Sequence, residues 1–177
     1  GHYQLLERFR KKEANILLGT QMIAKGLDFE DVTFVGVLNA DLSLNIPDFR
    51  ANERTFQLLT QVSGRSGRGA KTGTVMIQTF NPEHYVIETA SRHDYLTFDQ
   101  YEMNYRKAAK YPPFCHLASI IVSSKNERYL KAGANDIADY LKKHLNQAMV
   151  LGPANSGIYK MNDIYRQRIL IKFIDSQ

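Results

Sequence analysis

A single cysteine, Cys115, stands among the 177 residues, so no disulfide can close within the chain. No apolar run approaches the ~20 residues that a bilayer-spanning helix needs; Phe34 to Leu38 and Ile169 to Ile174 are both short. A helical integral membrane protein is therefore not expected. The N-terminus lacks the succession of charged, apolar and small residues that marks a secretory signal, and with the sparse cysteine this points to a cytoplasmic protein. His84 and His93, or Cys115 and His116, lack the paired-ligand spacings of zinc sites, so no metal is expected in this chain. Also missing is any G-x-x-x-x-G-K-[ST] string, since Gly69-Ala70-Lys71-Thr72 has no such loop before it.

What is present is ordinary globular composition, 44% hydrophobic and 23% charged, which argues against disorder and for one or two modest domains. The formal net charge of +5 favours a polyanionic partner, although many mildly basic chains are merely soluble and charge alone decides little. No internal repeat or low-complexity tract is visible. The chain opens at Gly1-His2 directly into an amphipathic pattern, and the expectation is a piece of a longer protein.

Leu5, Leu6 and Phe9 recur at helical spacing among charged residues, predicting a helix over 3–13. Asn15 to Gly19 and Val32 to Leu38 are apolar runs without alternation, the pattern of strands covered on both faces. Phe56, Leu59 and Val62 predict a helix from Asn52 onward, and Thr74 to Thr79 the next strand. The order suggests an α/β unit with a parallel sheet. His84 to Ala90 and Tyr95 to Lys110 read as helices, and Tyr111-Pro112-Pro113 then stops any helix. Beyond that boundary the pattern predicts a strand at Leu117 to Val122, a helix at Glu127 to Leu145, a short strand at Met149 to Leu151 and a last strand at Arg168 to Ile174. That succession describes a small α+β domain, truncated at its end.

The strongest chemical signal is Gln61-Val62-Ser63-Gly64-Arg65-Ser66-Gly67-Arg68-Gly69. It places Gln61, Arg65 and Arg68 at i, i+4 and i+7, one face of a continuing helix. A guanidinium offers forked donors and permanent charge to a γ-phosphate, where lysine is only a point charge. Gly64 and Gly67 leave room for a close neighbour. A second signal is Gly19-Thr20-Gln21-Met22-Ile23-Ala24-Lys25-Gly26-Leu27-Asp28-Phe29. A strand ending in Gly-Thr can present amides and a hydroxyl to a backbone phosphate; alone it is more often a cap. Asp28 could accept from a ribose hydroxyl or hold an arginine of the Gln61 string. Asp41, in Asn39-Ala40-Asp41-Leu42, reads as a turn or cap. The tyrosines from Tyr95 to Tyr111 could stack on bases but more often pack a linker helix. Tyr165-Arg166-Gln167-Arg168 precedes the last strand and could bind DNA phosphate or an acidic tail, or be a solvated strand end.

Together the two strings resemble motifs V and VI of superfamily 2 helicases. With Leu38-Asn39-Ala40-Asp41, Pro47-Asp48-Phe49-Arg50, Glu53-Arg54, Asn81-Pro82-Glu83-His84 and Tyr111-Pro112-Pro113-Phe114, the chain resembles the PriA family of replication-restart helicases in particular. Ser63 and Ser66 stand where that family's pattern suggests alanines, and the residues after Ala154 match less clearly.

This resemblance implies a 3′ to 5′ ATP-dependent DNA helicase that acts at stalled forks and in primosome assembly. ATP and Mg²⁺ serve the full-length protein, and zinc, the phosphate-binding loop and the Mg²⁺-binding acidic motif belong upstream of residue 1. It implies residues 1–91 as part of a RecA-like second helicase lobe, 92–112 as a helical linker and 113–177 as the C-terminal domain. Arg65 and Arg68 are the expected catalytic residues, Gly26, Asp28 and Gln61 nucleotide contacts, and Thr20, Gln21, Lys25, Arg166 and Arg168 nucleic-acid contacts. Expected partners are forked or single-stranded DNA, single-stranded-DNA-binding protein and primosome proteins. Rival readings are the second lobe of another superfamily 2 motor and a non-catalytic nucleic-acid-binding module.

Overall fold

The computed structural model describes residues 2–20, 31–64 and 73–174. The chain forms two compact units that divide between Tyr101 and Glu102.

In the first unit, α1 (His2–Arg10) is the predicted amphipathic helix, with exposed ion pairs Arg10–Glu7 and Arg8–Glu13 at 3.0 and 3.1 Å. The strand predicted at Asn15 to Gly19 does not form: residues 16–20 have no regular structure, and Ile16 and Leu18 are 85% and 82% exposed. An apolar run without alternation becomes a strand only where neighbouring strands satisfy its backbone, and among the described residues this run has none. β1 (Phe34–Val37) and β2 (Thr74–Ile77) pair in parallel, Phe34 opposite Thr74 and Val37 opposite Ile77. Between them lie α2 (Asp41–Leu44) and α3 (Ala51–Ser63). α3 buries Ala51, Thr55, Phe56, Leu59 and Val62, the stripe its periodicity predicts. α4 (Tyr85–Ser91) and the start of α5 (Tyr95–Ala108) complete a core of Ala40, Phe56, Leu59, Val86, Ile87, Ala90 and Phe98. Phe98 stacks on Phe56 with centroids 4.1 Å apart.

The second unit has β3 (His116–Ser124), α6 (Glu127–His144), β4 (Ala148–Met161) and β5 (Ile164–Phe173). The sheet order is β3-β5-β4, with β5 central and antiparallel to both neighbours. Asn126 caps α6, its side-chain oxygen accepting from the Arg128 and Tyr129 amides. α6 packs on all three strands and buries Leu130, Ala134 and Ala138, while Ile169 on β5 is fully buried. No helix among the described residues is long and apolar enough to cross a membrane.

Two predicted strands are longer than their apolar cores. The strand expected at Met149 to Leu151 runs from Ala148 to Met161, and the one expected at Arg168 begins at Ile164. The cause is a two-residue turn, Asn162-Asp163, with φ of 51° and 59°. Consecutive left-handed residues give the turn whose twist matches the flanking strands. Arg166 and Arg168 therefore lie inside the central strand, not ahead of it.

Candidate nucleotide and nucleic-acid interface

Gln61 sits half-buried in the last turn of α3. Its helix is fixed by the buried stripe below it, and its hydroxyl residues bond back along the helix, Thr60 to the Phe56 carbonyl at 2.9 Å and Ser63 to that of Leu59 at 2.8 Å. At Gly64 an added Cβ would meet the Thr60 and Gln61 carbonyl oxygens at 3.6 and 3.7 Å, ordinary contact. No described neighbour therefore demands a glycine there. Thr20 is exposed. The other residues assigned to nucleotide or backbone contact, Gln21, Lys25, Gly26, Asp28, Arg65 and Arg68, lie outside the described residues, as does Gly67.

Asp41 carries more than its sequence position suggests. One carboxylate oxygen accepts from the Thr79 hydroxyl and the other from the Phe80 amide, both at 2.9 Å. With the Ala40 amide donating to the Gln78 carbonyl at 2.9 Å, it locks together the segments that leave the parallel strands. The Phe80 amide, aided by the Thr79 hydroxyl, holds this carboxyl below the usual range despite some opposing desolvation. The turn role expected for Asp41 thus has partners 38 and 39 residues away.

The tyrosines engage neighbouring rings. Tyr95 lies 6.2 Å from Phe56, Tyr101 5.6 Å from Tyr85, and Tyr105 6.4 Å from Tyr111. Tyr95, Tyr101 and Tyr105 nonetheless stay 60%, 55% and 49% exposed, so packing covers only part of each ring.

Arg166 and Arg168 share the face of β5 opposite the buried Gln167 and Ile169. Arg166 pairs with Ser123, and Arg168 with Ile121 on one side and Ala154 on the other. Ile121 and Leu151 on the same face are 52% and 40% exposed, so the arginines stand on an open, partly apolar sheet surface.

The parallel α/β unit is of the kind found in the RecA-like lobes of helicases, and residues 2–70 match the family model for the helicase conserved C-terminal domain. Residues 107–177 match the model for the primosomal protein N C-terminal domain. Over 173 residues, 97% of this chain, it is 51% identical to the replication restart protein PriA of Bacillus subtilis (strain 168), covering 22% of that protein. It is 42% identical to PriA of Synechocystis over 97% of this chain and 21% of the relative, and 42% identical to PriA of Chlamydia pneumoniae over 97% and 23%. The chain is homologous to PriA over nearly its whole length, and spans roughly a fifth of these relatives.

Proposed function

We propose that this chain is part of an ATP-dependent 3′ to 5′ DNA helicase of replication restart and primosome assembly, working at stalled forks in the cytoplasm. Its share is the arginine wall of the ATP cleft together with contacts to DNA. The observation that carries this reading is the Gln61 to Arg68 string issuing from α3, a helix whose buried stripe gives it a fixed base. Two guanidiniums and an amide suit phosphate oxygens, and the string contains no carboxylate for Mg²⁺. Arg65 and Arg68 stabilise charge developing on the transferred phosphoryl group, while Gly26, Asp28 and Gln61 contact the nucleotide. Mg²⁺ and the β- and γ-phosphates are held by motifs of the longer protein, which also carries zinc.

Thr20, Gln21 and Lys25 hold one DNA strand's phosphates. Arg166 and Arg168 bind DNA or the acidic tail of single-stranded-DNA-binding protein. In this reading residues 1–91 are lobe, 92–112 linker and 113–177 C-terminal domain.

The test is made in the longer protein. Arg65→Ala or Arg68→Ala should lower kcat by about 10³ to 10⁵ with DNA affinity nearly unchanged. Collapse of DNA affinity with intact turnover would mean that these arginines serve DNA instead. The present chain alone should hydrolyse no ATP above background, and DNA-stimulated turnover by it would contradict the division of labour.

A further inference from the structure

We draw no further inference here: the strongest candidate, the open face of the second unit's sheet where Ile121, Met149 and Leu151 stand exposed around Arg166 and Arg168, belongs in its arginines to the site already described, and nothing among the described residues shows what covers its apolar part.

Discussion

Glu102 and Arg106, one turn apart on α5, form an ion pair of 2.7 Å whose side chains are only 1% and 9% exposed. Arg106 also reaches the Pro112 carbonyl at 3.5 Å, so the pair ties the end of α5 to the segment that enters β3. Two charges this far from water compensate each other, and removing one strands the other. Glu102→Ala or Arg106→Ala should each cost about 3–5 kcal/mol in urea unfolding, and Glu102→Leu with Arg106→Met clearly less. Unfolding midpoints that rank the double variant below both single ones would show that charge compensation is not the governing effect.

Asp41 gives a pH prediction whose sign follows from its hydrogen bonds. Donation by the Phe80 amide, then by the Thr79 hydroxyl, favours the ionised form in the folded state and lowers the pKa. The stabilisation is present above the unfolded carboxyl value of about 3.9 and is lost as pH falls through the lower folded value. Asp41→Asn should therefore be less stable than wild type at neutral pH, and the gap should close in acid. Thermal melts across that range decide it, since a gap independent of pH would assign the loss to shape and not to charge.

What could be read along the chain was whatever neighbouring residues decide. Phe56, Leu59 and Val62 place α3 because a helix repeats its own face every few residues, and the Gln61 string is legible because its residue types are unusual together. Asn15 to Gly19 is the opposite case: the run has strand composition, but pairing belongs to the sheet and not to the segment. The partners of Asp41 at Thr79 and Phe80 are equally invisible in order of residues. Strand register brings them together.

The β4–β5 hairpin was missed because Asn162-Asp163 is a weaker turn signal than Asn-Gly, and its chemistry is testable. Both residues have positive φ, 51° and 59°, a region that costs an ordinary side chain about 1–2 kcal/mol. Asp163→Gly should be neutral or stabilising, because the Lys160–Asp163 contact it removes is exposed and screened by solvent. Asn162→Val should be destabilising. Equal melting temperatures for the two variants would argue that the turn conformation does not govern the hairpin.

Gly152 lies where β4 departs from regular pairing, between Leu151 opposite Leu170 and Ala154 opposite Arg168. Its φ is 101°, and a Cβ there would stand 2.8 Å from the Arg168 carbonyl oxygen and 3.1 Å from the Ala154 amide nitrogen. Both obstacles are backbone, so neither can swing aside, and Gly152→Ala must push β4 away from the strand that presents Arg168. Strain of this kind costs about 1–3 kcal/mol, more than the about 0.4–1 kcal/mol that alanine gains by restricting the unfolded chain. Gly157, on the same strand, has nothing within 4 Å of its added Cβ and no positive φ. Gly157→Ala should leave stability unchanged or raise it, while Gly152→Ala lowers it and speeds amide exchange around Arg168. If the two alanines shift the unfolding midpoint alike, close approach to the Arg168 carbonyl is not what requires glycine at 152.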